Sequence, residues 1–255
     1  MAIIALRAWY LAEYEPLETI EQRPHDLRLS KNSLLKTALR ADFLDDAAAV
    51  KESLWFQRYL QGEPVEFYIE GSGSYLIANI DLISHEIYFV KQDTLAHLEP
   101  TIFFCSQTEL SDSSDQLRWA IQAWLTEFNP KSRLELTLVE SHRLSDGPIR
   151  LQSTLAGKLR RSLVFIADVS PISYLDTQPP VLIPSPKVSV EVGYALHCKH
   201  QEQILLAQME RPQWPGQFPV DLPSSQRLSF ADSAELAESL TPLLLKALAP
   251  FKLFH

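Results

Sequence analysis

Glycine is scarce in this chain, seven residues in 255, and the scarcity excludes whole classes of enzyme. Loops that cradle phosphates need backbone that tolerates φ > 0 and comes close to the ligand, which is what glycine supplies. No dinucleotide fingerprint occurs. Gly71-Ser-Gly73-Ser joins two alternating apolar runs and opens no helix, so it reads as a hairpin turn. Gly157-Lys158 is followed by Leu159, where a Walker motif needs Ser or Thr. Cysteine is scarcer still: Cys105 and Cys198, far apart, fit a reducing compartment and neither a disulfide framework nor a zinc knuckle. His197 and His200 have no carboxylate or thiol partners at metal spacing, so no metal site is expected. Basic residues are outnumbered by acidic ones, 23 against 32, and a net charge of −9 lacks the global field of a protein that tracks phosphate backbones. Nucleic acid is disfavoured as a partner. Apolar runs such as Leu163 to Ala167 fall far short of the ~20 residues that cross a bilayer. With no basic leader ahead of Arg7, the expectation is a cytoplasmic protein without a membrane segment.

What is present is ordinary for a globular chain, 46% hydrophobic and 22% charged, and its length suits two domains. Residues 1–97 read as a small α+β domain. Ile3 to Leu11 predicts a strand; Ser33 to Leu60, with Leu34, Leu35, Ala38, Leu39, Val50, Leu54 and Trp55 at helical spacing, predicts two short helices. Val65 to Glu70, Tyr75 to Leu82 and Glu86 to Lys91 predict a β-meander. The stretch from Arg23 to Arg40 is locally basic, and reads either as a solvated helix face or as an anion sensor that governs the second half.

Residues 101–255 alternate strand and helix, which predicts a parallel sheet with flanking helices. Strands are expected at Ile102 to Cys105, Leu134 to Val139, Leu163 to Ala167 and Ile204 to Ala207. Helices are expected at Asp115 to Phe128, Ile149 to Arg160, Val188 to Cys198 and Ser233 to Leu248. Pro179, Pro180, Pro184 and Pro186 make a stiff extended rim before the third of these helices. Ligands of such sheets sit beyond the carboxyl ends of the strands. Ser106 and Gln107, Glu140 to Arg143, Asp168 to Ser170 and the approach to Glu191 fall there.

Leu163-Val-Phe-Ile-Ala-Asp168-Val-Ser-Pro-Ile172, followed by Pro184-Ser-Pro-Lys-Val-Ser-Val-Glu191-Val-Gly-Tyr-Ala195, resembles the bacterial TIR-like family of nucleotide-binding proteins. Members of that family typically read Ala-Asp-Val-Thr-Pro, then Pro-Asn-Pro-Asn-Val-x-x-Glu-Leu-Gly-Tyr-Ala. Phe103-Phe-Cys-Ser106-Gln107 and Phe218-Pro-Val-Asp221-Leu with Arg227 and Phe230 look like two further family signals, so the resemblance spans about 101–248. It implies a flavodoxin-like, TIR-type domain that cleaves the nicotinamide–ribose bond of NAD or NADP, taken as substrate with no other cofactor. Glu191 is the implied essential carboxylate, and Asp168 an accompanying site acid. Ser106, Gln107, Arg143, Ser170, Lys187 and Tyr194 are the implied substrate contacts, and a homo-oligomer is the implied assembly, with a role in bacterial signalling or defence. Ser185 and Lys187 depart from the family's two asparagines, and a cation in the first turn of a helix is disfavoured by the macrodipole unless it meets an anion. Either Lys187 contacts a substrate phosphate or the pocket has drifted from the family's. Two other readings stay open: a non-catalytic nucleotide-binding or self-assembling module, and a base-exchange transferase.

Overall fold

The structure, a computed structural model, describes residues 5–30, 38–91, 98–141, 153–214, 216, 223 and 226–253. The chain divides into two units, Met1–Leu98 and Glu99–His255.

In the first unit, β1 (Ala5–Leu11), α1 (Leu17–Gln22), β2 (Leu27–Ser30), β3 (Ala38–Asp42), α2 (Ala47–Glu52), α3 (Leu54–Leu60), β4 (Glu66–Ile69), β5 (Gly73–Asp81) and β6 (Glu86–Lys91) follow in chain order. The strands form one antiparallel sheet in the order β2-β1-β4-β5-β6-β3, with β4-β5-β6 as the expected meander. Because side chains alternate across a strand, Tyr10, Phe67, Tyr75 and Phe89 share one face and pack with Val50, Trp55 and Phe56 of α2 and α3. Trp55 meets Phe67 edge-on at 5.0 Å between ring centroids. α2 and α3 are each capped by a polar side chain: Asp46 accepts from the Ala48 amide at 3.0 Å and Ser53 from the Phe56 amide at 3.3 Å. Gly71 and Gly73 take φ of +68° and +107° in the β4–β5 turn, the reason glycine stands there.

The basic stretch is not a helix face where it is described. Leu27–Ser30 and Ala38–Asp42 are strands, Arg28 binds Asp45 at 2.8 Å and Arg40 pairs with Glu86. Residues 31–37 lie outside the described set. The helical spacing of Ala38 and Leu39 is overridden because β6 offers a complete ladder, Ala38 opposite Val90 through Asp42 opposite Glu86.

The second unit runs β7 (Glu99–Cys105), α4 (Ser111–Phe128), β8 (Thr137–Glu140), α5 (Ser153–Arg161), β9 (Ser162–Asp168), β10 (Ser173–Leu175), β11 (Val181–Ile183), α6 (Pro186–Cys198), β12 (Ile204–Met209), β13 (Arg227–Phe230) and α7 (Ser233–Leu248). Five strands form a parallel sheet in the order β13-β12-β9-β7-β8. Its central strands are buried on both faces, so they read as unbroken apolar runs. Phe103, Phe165, Ala167 and Leu206 point to the face covered by α5 and α6, through Leu159, Val188, Val192 and Ala195. α4 and α7 pack together and contact β9 on the other face. β7 therefore leads into a helix on one face and its sheet neighbour β9 into a helix on the other. In open α/β sheets such a change of side marks where a ligand crevice forms, here between the carboxyl ends of β7 and β9. The proline-rich segment is extended as expected, but β10 and β11 close it into an antiparallel hairpin. The fifth strand, β13, was not among the expected ones.

Candidate functional site

The site is built at the start of α6. Pro186 occupies the first turn, where its missing N–H costs nothing, and Ser185 precedes it as the N-cap without a side-chain cap bond. Lys187, Val188, Glu191, Val192 and Ala195 are the buried stripe of this helix. Two of the five are charged. Glu191 is 3% exposed and Lys187 7%, and charges are rarely buried so deeply without partners.

Lys187 has partners in the backbone. Its ammonium donates to the Ser141 carbonyl at 2.7 Å and the Ser106 carbonyl at 3.2 Å. These carbonyls lie just past the ends of β8 and β7, where the sheet ladder no longer supplies donors. The expectation that Lys187 meets a substrate phosphate is replaced by this inward arrangement. The side chain is long enough to reach the strand ends, and their carbonyls need a donor.

Glu191 is less well provided. The Cys105 thiol and Ser141 hydroxyl face its carboxylate and favour the ionised form, yet neither closes a full hydrogen bond on Oε2, which has no partner among the described residues. Burial pushes the Glu191 carboxyl up; the Cys105 thiol, the Lys187 ammonium and the Ser141 hydroxyl pull it part of the way back. Burial, then the Glu191 charge, holds the Cys105 thiol well above the ordinary range, so this cysteine is a neutral donor and not a nucleophile. Three more buried polar atoms at these strand ends and at the helix cap lack a partner among the described residues: Ser141 Oγ, Gln107 Oε1 and Ser185 Oγ. A polar group left unpaired in the interior is costly, and a ligand that brings donors and acceptors would satisfy several at once.

Asp168 is fully buried with both oxygens engaged. Its Oδ1 accepts from the Ser170 amide at 3.0 Å, and its Oδ2 accepts from the hydroxyls of Ser113 and Ser114, the latter at 2.7 Å. Gln107 completes this lock: its amide N–H donates to Ser114 Oγ at 2.9 Å and its side chain to the Ser170 carbonyl at 3.1 Å. The Ser170 hydroxyl in turn accepts from the Met209 amide at 2.8 Å. Asp168, Gln107 and Ser170 thus tie the ends of β7, β9 and β12 to the first turn of α4. This local bonding accounts for Asp168 and Ser170, and leaves only Oε1 of Gln107 without a partner among the described residues.

Glu191, Lys187 and Ser106 come together at the crevice. Tyr194 is half-buried against the core of the α5–α6 face. Arg143 lies outside the described residues. Glu140, in the same candidate segment, is turned away toward α4, where Arg118 binds it at 2.6 Å. Ser141 and Cys105 were not picked out as site residues, although both lie within or beside strand-end segments that were. Ser113 and Ser114 were also missed. Their signal is weak, a run of small polar residues opening an apolar helix. No protein-family model and no curated protein sequence matches this chain.

Among the described residues no helix is long and apolar enough to cross a membrane, and no group of three or more His, Cys, Asp or Glu is placed to hold a metal ion.

Proposed function

We propose that the Glu99–His255 unit is a flavodoxin-like, TIR-like domain that cleaves the bond between nicotinamide and ribose in NAD or NADP. The observation that carries this reading is a buried carboxylate, Glu191, with an unpartnered oxygen at the point where the sheet's connections change face. The sheet order, numbered within the unit, is 2-1-3-4-5, which is the flavodoxin-like order. Cleavage of this N-glycosidic bond sends the bonding electrons to the pyridinium nitrogen. Nicotinamide leaves neutral, with no acid required to protonate it. The ribose becomes cationic at its anomeric carbon, and an ionised Glu191 beside it stabilises that charge in a low-dielectric pocket. Water then adds to the carbon and loses a proton, which leaves the ADP-ribosyl product.

The test is nicotinamide release from NAD by the intact chain and by Glu191→Gln. The expected loss is at least ~100-fold in the variant, the size seen when one transition-state electrostatic contact is removed. Equal rates would end the assignment. A second reading, nucleotide binding without turnover, is favoured by the same burial of Glu191, which biases the carboxyl toward its protonated, unreactive form. Binding of ADP-ribose with no nicotinamide released at any pH would select it.

A further inference from the structure

We propose that Lys187 is a positioning residue for Glu191: one turn before it on the buried face of α6, its ammonium brings a positive charge to the strand ends after β7 and β8 that face the carboxylate and pins them there. This role rests on the reading of Glu191 as the reacting carboxylate. The two residues stand four apart on α6, on one helical face, and both are buried. They converge on the same two strand ends. Lys187 donates to the carbonyls of Ser106 and Ser141, while Glu191 faces Cys105 and the Ser141 side chain.

A cation in the first turn stands at the positive end of the helix dipole, and its burial adds a desolvation cost. The two carbonyls do not explain the charge, because a neutral amide would donate to them as well. An opposite charge does explain it. Among the described residues, the groups that bear on Glu191 are Cys105 from β7, Ser141 after β8 and Lys187 from its own helix, and Lys187 alone is charged. Burial drives Glu191 toward protonation and the ammonium opposes it. A protonated Glu191 could not stabilise a ribosyl cation, so the Cys105 thiol, the Lys187 ammonium and the Ser141 hydroxyl together extend the working range of the site toward acid.

The experiment is a 13C NMR titration of the chain carrying glutamate labelled at the side-chain carboxyl, with the Glu191 signal assigned by its loss in Glu191→Gln. Lys187→Met and Lys187→Gln should raise the Glu191 midpoint by about one pH unit, a tenfold change in its acid constant. Lys187→Arg should keep it close to the wild-type value. Lys187→Gln keeps a neutral N–H donor on the same face, one bond shorter, so it carries the test should Lys187→Met fail to fold. In parallel, the acid limb of nicotinamide release should move up with the midpoint. Below it kcat should fall and KM change little. An unmoved Glu191 midpoint in Lys187→Gln would overturn the role. A moved midpoint in a chain that releases no nicotinamide removes the glycohydrolase reading and leaves the hold of Lys187 on Glu191 standing.

Discussion

Glu191 on α6 and Lys199, the residue just past its end, make opposite demands on the surrounding pH. Glu191 has its folded pKa raised, chiefly by burial, so between its unfolded and folded values the native state binds more protons than the unfolded chain. Its contribution is therefore favourable in acid and is lost as pH rises through that window. Glu191→Gln should be more stable than wild type at pH 8, with the difference shrinking toward pH 4, as read from urea melts. This is the usual cost of a carboxylate in an apolar place. Lys199, at the other end of α6, is pulled down to about 8 by burial, although its ammonium donates to the Ser162 carbonyl at 2.5 Å. Below about pH 8 the native state must hold this charge in the interior. Between about 8 and the ordinary lysine value of 10.5 the unfolded chain binds more protons, so stability rises with pH. Lys199→Met should abolish that rise. The wild type should gain about 3 kcal/mol on the variant as pH rises across the window, at ~1.4 kcal/mol per unit, and a pH-independent difference would refute the assignment.

Two places among others show side chains satisfying groups at element ends that the backbone leaves open. Asp168 at the end of β9 accepts from Ser113 and Ser114 in the first turn of α4, so one carboxylate satisfies groups on two elements. Asp168→Ala removes three hydrogen bonds to a buried charge and should destabilise the second unit by about 3 kcal/mol or more. Asp168→Ala and Ser114→Ala should be non-additive, with a coupling of about 1 kcal/mol or more in a double-mutant cycle, since each deletes the other's partner. The second place is the start of α7, where Asp232 accepts from the amides of Ala234 at 2.9 Å and Glu235 at 3.0 Å. Asp232→Ala should cost about 1 kcal/mol in thermal or urea unfolding, the ordinary worth of an N-cap.

The two units have separate hydrophobic cores, one built from Phe67, Trp55 and Phe89, the other from Phe103, Phe165 and Val188. The second unit also ties its own late residues inside itself: the Arg133 amide donates to the Leu253 carbonyl at 2.9 Å and its guanidinium to that of Lys252 at 2.9 Å. Residues 99–255 expressed alone should therefore fold, with a cooperative thermal transition and the far-ultraviolet signature of an α/β protein. An uncooperative melt would show that the unit depends on the first. We further propose that cleavage of NAD depends on association between copies, because a crevice at strand ends does not by itself exclude water from a ribosyl cation. The specific rate should rise with protein concentration; a rate constant over a wide dilution series would count against it.

Periodicity and punctuation were enough to read the alternation of the second unit, the meander of the first and the hairpin at Gly71 and Gly73, because burial of one face or two leaves its period in the residue order. Glu191 was picked out by the resemblance of its segment to the TIR-like motif, and its place after a strand and a proline-rich loop agrees with a strand-end site. The direction of a long flexible side chain was not legible. Lys187 reads as a phosphate ligand from its place in the first turn, and only the approach of Ser106 and Ser141, 81 and 46 residues away in sequence, turns its ammonium inward. Asp168 likewise becomes a lock because Ser113 and Ser114 are brought to it from about 55 residues away. β3 forms where helical spacing was present because β6 supplies a ladder. Local pattern records which faces are buried. Which polar group meets which across the chain is set by packing, since a buried donor or acceptor takes the nearest partner that the fold brings to it.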